Sequence, residues 1–346
     1  MQESILFQEI MQQPAAIERL VNLEYANVVK IADNLRRRFK YIMIAARGTS
    51  DNAARYAQYL FQIHNRIPVM LATPSVFSVY QRPPQLEDAL VIAISQSGKS
   101  PDIISVVEEA KRQGRPSLVI TNGPDSPLSA AADAVIPLQA GIEKAVAATK
   151  TYTSSLAALA ILSCSLLGDN ILMDDLHRLP ERVDATLQGI LPLVGRMERY
   201  LLMERGAVIG RGFNYCTAFE IALKVKELTG VTTVPYSSAD FLHGPIASIH
   251  QGYPVIAIAQ RGQVYRDILD VINKVRALGA ELAVISDDPD AQAMANLVLP
   301  TPAGIPEWLS PVTNVLPGQI LGWQIAVQKG LDPDKPRGLS KITETL

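Results

Sequence analysis

The sequence predicts an α/β protein made of two tandem copies of one domain, each a parallel sheet flanked by helices. Short, continuously apolar runs alternate with helical patterns, which is typical of parallel strands buried on both faces. Arg47-Gly48 recurs as Arg211-Gly212, 164 residues later, and at the same shift residues 93–97 (AISQS) fall on 257–261 (AIAQR). Residues 134–137 likewise fall near 297–300. Self-similarity at a fixed spacing indicates an internal duplication.

The spacing of apolar residues assigns the elements of both copies in order. The region up to about residue 40 has helical spacing. The first copy has predicted strands at 41–46, 68–72, 90–95, 117–121 and 134–138, with helices around 52–63, 75–80 and 101–113. A long helix over 149–167 and a helical pattern over 176–204, interrupted near Pro192, lead to the second copy. The second copy has predicted strands at 207–210, 232–235, 254–259, 281–286 and 297–299, with helices near 215–228, 264–278 and 310–329.

These elements divide the chain into five predicted segments. They are an N-terminal helical segment (1–40), a first domain (41–170), a helical connector (171–205), a second domain (206–330) and a C-terminal tail (331–346). The length of 346 residues and the hydrophobic content of 48% fit two globular domains of ordinary size. The tail is rich in proline, glycine and charge, and a tail of this kind is poorly ordered unless it docks.

Composition excludes several classes of protein. The net charge of −2, from 32 basic and 34 acidic residues, gives no electrostatic footprint for nucleic acid or an anionic membrane. Cys164 and Cys216 lie in apolar helical patterns, so we expect buried free thiols in a reducing compartment. Scattered histidines and the lack of a CxxC pair argue against a metal site. With no signal-peptide pattern and no apolar run near the roughly 18 residues of a membrane span, we expect a cytoplasmic protein.

Hydroxyl-bearing turns follow two predicted strands of the first copy. Residues 95–100 (SQSGKS) stand where a strand ends and a helix begins, and residues 47–50 (RGTS) follow the first strand. Ligands of open parallel sheets bind at the carboxyl ends of strands, where the free N–H groups of a helix start attract phosphate. The turns therefore predict a site for a small phosphorylated ligand. An ordinary serine–glycine turn with a helix cap is the alternative interpretation.

Spacing argues against two nucleotide-binding motifs at these turns. Gly98-Lys99-Ser100 resembles the end of a P-loop, but the first glycine of that motif would fall at position 93, which is an alanine inside the strand. We therefore do not expect an ATPase. No GxGxxG pattern follows either strand, so a dinucleotide site has little support.

Six ordered segments of the chain resemble one known family. They are RGTS (47–50), ISQSGKSPD (94–102), EKAVAATKT (143–151), FEIALKVKE (219–227), FLHGP (241–245) and PRGLSK (336–341). They resemble the sugar isomerase (SIS) domain family, and their order and spacing resemble the isomerase half of glutamine-dependent glucosamine-6-phosphate synthases. Stand-alone glucosamine-6-phosphate deaminases and fructosamine-6-phosphate deglycases are more similar in size. The resemblance covers the chain from about residue 41, and it implies two flavodoxin-like domains in a homodimer with shared active sites.

The resemblance also implies roles for individual residues. The sugar phosphate would be held by Gly48, Thr49, Ser50, Ser95, Gln96, Ser97 and Ser100, with Val146 and Ala147 as further substrate contacts. Glu227 matches a carboxylate that shuttles a proton, and His243 matches a ring-opening histidine that often comes from the neighbouring subunit. Lys341 matches a tail lysine that reaches over the sugar, so the tail would close over the active site.

The residues alone leave other interpretations open. Glu220, Lys224 and Glu227 share one helical face at i+4 and i+3 spacing, which also fits an ion-pair ladder on the surface. His243 could be structural, although the pKa of histidine suits proton transfer near neutrality. Lys341 could be a solvated cation of the tail. The remaining histidines have no supporting context and are expected to be structural: His64, His177 and His250.

Two departures from the family pattern bear on substrate choice. Lys99 stands where the synthases usually have glutamate, and Ala148 stands where they usually have serine beside the sugar. The first adds positive charge near the phosphate turn, and the second removes one hydroxyl contact. The glutaminase half of the synthases is absent and no cysteine follows Met1, so we expect that glutamine is not the source of ammonia.

From the resemblance we expect deamination of glucosamine 6-phosphate to fructose 6-phosphate and ammonia, by ring opening and proton transfer between C2 and C1. The open-chain carbonyl is its own electron sink, so no metal or organic cofactor is expected. The expected partners are a small phosphosugar and a second copy of the chain, without nucleic acid or membrane. A fructosamine-6-phosphate deglycase, a simple aldose–ketose isomerase and a non-catalytic phosphosugar-binding regulator are the alternatives. The roughly 40 residues before the first strand are too few for the DNA-binding domain of such a regulator.

Overall fold

The computed structural model describes residues 4–341, apart from the side chains at positions 170 and 171, and contains two parallel sheets of five strands each. The strands of the first sheet are β1 (Tyr41–Ala45), β2 (Val69–Leu71), β3 (Ala89–Ser95), β4 (Ser117–Thr121) and β5 (Ala134–Pro137). The strands of the second sheet are β6 (Arg205–Gly210), β7 (Thr232–Ser237), β8 (Pro254–Ala259), β9 (Glu281–Ser286) and β10 (Leu297–Pro300).

Helices precede, connect and follow these strands. Up to β6 they are α1 (Ile5–Met11), α2 (Gln13–Leu35), α3 (Gly48–Leu60), α4 (Pro74–Ser78), α5 (Pro101–Arg112), α6 (Pro127–Ala131), α7 (Lys150–Leu167), α8 (Asn170–His177) and α9 (Leu179–Ile190). After β6 they are α10 (Tyr215–Thr229), α11 (Ser238–Leu242), α12 (Tyr265–Ala277), α13 (Pro289–Gln292) and α14 (Ser310–Gln328). A π-helical turn at Phe61–Asn65 extends α3, and 3₁₀ segments lie at Leu191–Tyr200, Gly212–Asn214 and Pro245–Ser248.

Both sheets have the same strand order. The first sheet runs β2-β1-β3-β4-β5 and the second runs β7-β6-β8-β9-β10, with parallel pairing throughout. Equivalent residues also pair at equivalent points, since Ala45 lies opposite Ala93 and Ile209 lies opposite Ala257. This is the order of flavodoxin-like folds, in which ligands bind beyond the carboxyl ends of the strands. The predicted fold class is confirmed.

The strands form from consecutive apolar, largely β-branched residues. Every residue of β3 and of β4 is buried, as expected for central strands covered by helices on both faces. Val91 and Val119 belong to one core cluster with Ile103 and Val106 of α5. Burying a side chain of this size contributes about 1.5–3 kcal/mol to folding. The buried strands therefore fix the positions at which the loops leave the sheet.

The predicted helical pattern over 176–204 is divided in the structure. It becomes the end of α8, all of α9 and a 3₁₀ segment at Leu191–Tyr200. Pro192 lacks an N–H group and its ring crowds the preceding turn, so α9 ends at Ile190. Strand bounds agree closely with the prediction, although β7 continues two residues further, to Ser237.

Helix α7 is the most apolar long helix of the first copy. By length and composition it could cross a membrane, but 89% of it is buried inside the protein, and core helices of globular proteins pass the same test. Cys164 on α7 and Cys216 on α10 are both free and buried, which confirms the prediction for these thiols. Burial raises the pKa of Cys164 to about 12, which keeps it in the unreactive thiol form.

Contacts divide the described chain into two compact units. The first unit comprises residues 15–143, 150–179 and the chain from 340, and it holds the first sheet. The second unit comprises the residues up to 14, 144–149 and 180–339, and it holds the second sheet. The division does not follow chain order, so the domain boundaries drawn from the sequence stay a prediction. Residues 1–3 of the predicted N-terminal segment and 342–346 of the predicted tail lie outside the described residues.

Candidate active site

The loop after β3 is a hydroxyl-lined turn held by its own serines. The buried hydroxyl of Ser95 accepts a hydrogen bond from the Gly98 N–H at 3.1 Å, and the hydroxyl of Ser97 accepts one from the Lys99 N–H at 3.3 Å. Gly98 has a φ of +65°, and a Cβ at this position would lie 2.0 Å from the hydroxyl oxygen of Ser126. The turn therefore requires glycine here, and α5 begins shortly after it.

The loop after β1 brings a second helix start to the same edge of the sheet. Helix α3 begins at Gly48, and Thr49 and Ser50 lie half-buried in its first turn. Because β1 and β3 are adjacent parallel strands, the loops that follow them leave the sheet on the same side. The N-termini of α3 and α5 both favour an anion at this edge. The remaining predicted ligands of the second loop are half-buried: Gln96, Ser97 and Ser100.

An ion pair that the sequence analysis missed joins these two loops. Arg47 Nε lies 2.8 Å from Asp102 Oδ2, with the Arg47 side chain 49% exposed and that of Asp102 fully buried. Asp102 stands in the first turn of α5, so the pair links the start of α3 to the start of α5. A buried carboxylate requires such a partner. The signal was present in the sequence, since Arg47 begins the RGTS segment and Asp102 ends the ISQSGKSPD segment.

Val146 and Ala147 lie in the second unit, in the segment between β5 and α7. The Val146 N–H donates a hydrogen bond to the Asp334 carbonyl oxygen at 3.1 Å, and Ala147 is buried. The two preceding residues donate their N–H groups to the carboxylate of Glu9. The segment is thus held by Glu9 and by the tail at Asp334. The predicted substrate contacts of Val146 and Ala147 remain a prediction.

Three charged residues of α10 form a mostly buried group in the second unit. Lys224 Nζ lies 3.5 Å from Glu220 Oε1 and donates a short hydrogen bond to Glu227 Oε2. Glu220 and Lys224 are fully buried, whereas the Glu227 side chain is 22% exposed. The interpretation as a surface ion-pair ladder is therefore wrong. A partly accessible carboxylate, fixed in orientation by a buried ammonium, is suited to acid–base chemistry.

Close packing of α14 explains why this face of α10 is buried. A Cβ at Gly318 would lie 2.3 Å from Ile221, and one at Gly322 would lie 3.7 Å from the Lys224 backbone. Glycines at these two positions allow the two helix backbones to approach each other. Sequence periodicity places the three charges on one face of α10, but only the neighbouring helix determines that this face is covered.

His243 lies at the C-terminal end of the short helix α11 and is exposed. Its backbone N–H donates to the Asp240 carbonyl oxygen at 3.1 Å, and its ring makes no hydrogen bond with any of residues 4–341. The ring is therefore accessible from solvent. The position fits a histidine that contacts a ligand or another chain, and its predicted catalytic role stays a prediction.

Lys341 is docked on the first unit rather than solvated. Its Nζ lies 2.7 Å from Glu143 Oε2, and its side chain is only 22% exposed. Glu143 is fully buried and also accepts hydrogen bonds from the N–H and hydroxyl of Thr151. The interpretation of Lys341 as a solvated tail cation is therefore wrong. Glu143 is a second residue that the sequence analysis passed over, although it begins the EKAVAATKT segment.

Two of the other histidines, His177 and His250, contact neighbouring aromatic rings, and the third, His64, is partly buried. His177 lies edge-on to Tyr25, and His250 lies edge-on to Tyr253. Burial lowers the pKa of His64 from its ordinary value. Within residues 4–341 no three His, Cys, Asp or Glu side chains are grouped so that they could hold a metal ion. These contacts favour the structural roles expected for the three histidines.

Comparison with known families settles the relationship of the chain. The SIS domain model matches residues 37–164 and 204–327, which together cover most of the sequence and coincide with the two sheets. The chain belongs to the SIS domain family. In this SIS protein the predicted phosphate ligands of the loops after β1 and β3 lie in the first unit with Lys341, and Glu227 and His243 lie in the second unit.

Individual SIS relatives match almost the whole chain. The glutamine–fructose-6-phosphate aminotransferase (isomerizing) of Pyrococcus horikoshii is 34% identical over 346 residues, a match of 98% of this chain and 57% of that protein. The chain thus spans little more than half the length of this curated relative. A crystal structure from Silicibacter pomeroyi DSS-3, provisionally described as a phosphosugar isomerase, has a TM-score of 0.88 at 30% identity and covers 96% of this chain and 100% of its own.

A third relative is similar in fold. The glucosamine-6-phosphate deaminase of Thermotoga maritima has a TM-score of 0.79 at 21% identity, with 99% of this chain and 100% of that chain covered. At this identity the similarity concerns the arrangement of strands and helices alone.

Proposed function

We propose that this SIS protein is a phosphosugar isomerase that acts on an amino-sugar 6-phosphate. The reaction we favour is the deamination of glucosamine 6-phosphate to fructose 6-phosphate and ammonia. The mostly buried group of Glu220, Lys224 and Glu227 is the observation that carries the proposal, because the structure retains a costly charged cluster with one accessible carboxylate.

The phosphate end of the substrate would bind at the loops after β1 and β3. Hydroxyls of Thr49, Ser50, Ser97 and Ser100 stand at two helix starts on one edge of the first sheet. Hydrogen bonds to a charged ligand contribute about 1.5–3 kcal/mol each, so the phosphate would supply most of the binding free energy. Binding at this remote group orients C1 and C2 for the chemical step.

The proposed chemistry is a proton transfer that conserves atoms and electrons. His243 opens the sugar ring by moving a proton between O5 and O1, which exposes the C1 aldehyde. The aldehyde acidifies the C2–H bond, and Glu227 removes the C2 proton and returns a proton to C1, while a proton passes from the amino nitrogen to O1 to form the C1 hydroxyl. The product is a 2-imino sugar, which water hydrolyses to the C2 ketone and ammonia. Positioned acid–base groups of this kind contribute about 10²–10⁴-fold each.

Lys341 and a second subunit complete the proposed site. The Lys341 ammonium, held by Glu143, would donate a hydrogen bond to the open-chain sugar. The exposed position of His243 supports a homodimer in which this histidine serves the site of the neighbouring chain. The first unit carries the phosphate ligands, so we also propose the segments 41–170 and 206–330 as the two functional domains.

The test compares a variant of the proposed base with a matched control. Glu227→Gln keeps the shape and one acceptor but removes the exchangeable proton site, so ammonia release from glucosamine 6-phosphate should fall about 10²–10⁴-fold. In D₂O the wild-type product should carry deuterium at C1, and the variant should show little incorporation. Glu18→Gln, the same change on an exposed position of α2, should leave both readouts unchanged. Near-normal turnover of the Glu227→Gln protein would contradict the assignment.

A substrate panel separates the deaminase from related activities. Ammonia should be released fastest from glucosamine 6-phosphate. Faster turnover of a fructosamine 6-phosphate would indicate a deglycase, and aldose–ketose conversion without ammonia would indicate a simple isomerase. Tight phosphosugar binding without turnover would indicate a regulator.

A further inference from the structure

Glu143 is a buried carboxylate of the first unit, and it lies at the N-terminal end of α7. It follows β5 and has a fully buried side chain. Glu143 Oε1 accepts a hydrogen bond from the Thr151 N–H at 3.1 Å, and Glu143 Oε2 accepts one from the Thr151 hydroxyl at 2.8 Å. Thr151 lies in the first turn of the 18-residue helix α7, whose N-terminus also favours negative charge. The carboxylate is thus fixed in orientation before the tail is considered.

The third hydrogen bond to this carboxylate comes from the end of the described tail. Lys341 Nζ donates to Glu143 Oε2 at 2.7 Å, although the two residues are 198 positions apart in the sequence. Residues 337–340 are all exposed, whereas the Lys341 side chain is only 22% exposed. A fully buried carboxylate gains from a cationic partner because solvent cannot stabilise its charge. The ion pair is therefore a specific attachment of the tail at this residue.

We propose that Glu143 is a positioning residue, which acts by holding the Lys341 ammonium in place for the reaction. The inference rests on the proposed function, in which Lys341 reaches the open-chain sugar. Glu143 itself touches no substrate in this proposal. Its charge fixes where the ammonium lies. The tail is then ordered for catalysis by a residue that precedes α7.

The first measurement follows attachment of the tail without reference to activity. Trypsin cleaves after Arg337, which is exposed, and after Lys341, whose side chain must leave Glu143 to enter the protease. The ratio of the two cleavage rates, measured by mass spectrometry, uses Arg337 as an internal reference. We expect Glu143→Gln to accelerate cleavage after Lys341 about tenfold relative to Arg337, since a Gln side chain lacks the charge that retains the ammonium. An unchanged ratio would overturn the proposal.

The second measurement is a double-mutant cycle on turnover. We expect Glu143→Gln to lower kcat at least tenfold with KM changed by less than about threefold, because the phosphate ligands are untouched. Lys341→Met should lower kcat by at least as much, and the double variant should be no slower than Lys341→Met alone. Additive losses would show that Glu143 acts through something other than Lys341, and they would overturn the proposal.

A control separates positioning from simple stabilisation of α7. Thr151→Val removes one hydrogen bond to the Glu143 carboxylate but leaves its charge, so it should lower the Tm without changing the tryptic ratio. If Glu143→Gln does not fold, Glu143→Asp retains the charge on a shorter side chain and should change both readouts in the same direction. If Lys341→Met leaves turnover unchanged, the role of Lys341 in the proposed function fails, while the tryptic ratio still decides whether Glu143 holds the tail.

Discussion

The loop after β3 and the loop after β8 occupy equivalent places in the two sheets but contain different chemistry. At the shift of 164 residues, Ser95 corresponds to Ala259, Ser97 corresponds to Arg261, and the glycine at 98 corresponds to the glycine at 262. The first loop keeps hydroxyls at the strand end. The second loop replaces them with a methyl group and a guanidinium, so the duplication preserved the glycine and not the hydroxyls.

The second loop is also occupied by a carboxylate of its own chain. The Gln263 N–H donates a hydrogen bond to Glu307 Oε2 at 2.8 Å, and a Cβ at Gly262 would lie 2.3 Å from this carboxylate. The Arg261 N–H donates to Asp287 at 2.9 Å, and the Arg261 side chain pairs with Asp288. Internal carboxylates thus hold N–H groups of this loop and would repel a phosphate.

The corresponding glutamate of the first copy faces a different partner. Residues 140–142 (AGI) recur as 303–305 (AGI), and a glutamate follows each copy, directly as Glu143 and one residue later as Glu307. Glu143 binds the tail lysine, whereas Glu307 binds its own loop. A carboxylate at a similar place thus binds the tail lysine in one copy and a backbone N–H of its own loop in the other.

The largest expected effect comes from substitutions in the loop after β3, compared with a substitution in the loop after β8. The double change Ser97→Ala and Ser100→Ala should lower kcat/KM at least 100-fold, mainly through KM, because each hydrogen bond to a charged phosphate contributes about 1.5–3 kcal/mol. Arg261→Ala, at the equivalent loop, should change kcat/KM by less than about twofold. Steady-state kinetics with inorganic phosphate as a competing ligand measures both, and comparable losses at the two loops would contradict the assignment.

The ion pairs that follow the first strand of each copy should differ in their contribution to stability. Arg47→Ala leaves the fully buried Asp102 carboxylate without its partner and should lower the free energy of unfolding by about 2 kcal/mol. Asp267→Ala breaks the equivalent Arg211–Asp267 pair, in which the carboxylate side chain is 54% exposed, and should cost about 0–1 kcal/mol. Urea unfolding followed by circular dichroism gives both values. Equal losses would show that the first pair has no special structural role.

Removing the internal carboxylate tests whether the second loop is merely structural. Glu307→Ala frees the Gln263 N–H and should lower the free energy of unfolding by about 1 kcal/mol, with KM unchanged. Glu307→Gln retains an acceptor at the same reach and should cost less. Thermal unfolding and steady-state kinetics measure the two effects, and a raised KM in either variant would indicate that this loop contributes to the substrate site.

The smallest expected effect concerns acid stability of the second loop. Burial opposes ionisation of Asp288, but the neighbouring Tyr265 hydroxyl, the Arg261 guanidinium and the N–H groups of Asp290 and Ala291 outweigh it and hold the Asp288 pKa at about 2. Because the folded pKa lies below the usual value, the charge stabilises the fold above about pH 4, and this contribution is lost as the pH falls towards 2. The difference in Tm between wild type and Asp288→Asn should shrink over that interval. A constant difference would indicate that the charge is irrelevant.

The sequence was sufficient for the elements because their signals are local. Apolar runs such as those of β3 and β4 need no partner to be recognised, and the repeated Arg-Gly dipeptides place the two sheets in register with each other. The serines and the glycine of the turn at 95–100 were equally visible in the sequence, and their role as phosphate ligands stays a prediction. These features can be predicted because each depends on only about five to ten consecutive residues.

Partners distant in the chain could not be predicted in the same way. The sequence alone is consistent with Lys224 on the surface, because only the packing of α14 on α10 shows that it is buried. It is likewise consistent with a solvated Lys341, because its partner Glu143 lies 198 positions earlier in the chain. The Arg47–Asp102 pair likewise depends on two loops that meet only in the folded sheet. Whether a charged side chain is buried depends on the elements packed against it, and the periodicity of one helix or strand gives no information about them.

The Asp334 carboxylate has a consequence for the order in which this protein can fold. It accepts hydrogen bonds from the N–H groups of Ile5 at 3.0 Å and Leu6 at 2.7 Å, the first two residues of α1. A helix of seven residues is marginal by itself, so α1 depends on this late partner. Ser4 caps the Phe7 N–H locally, but the N–H groups of Ile5 and Leu6 acquire their acceptor only after synthesis has passed residue 334.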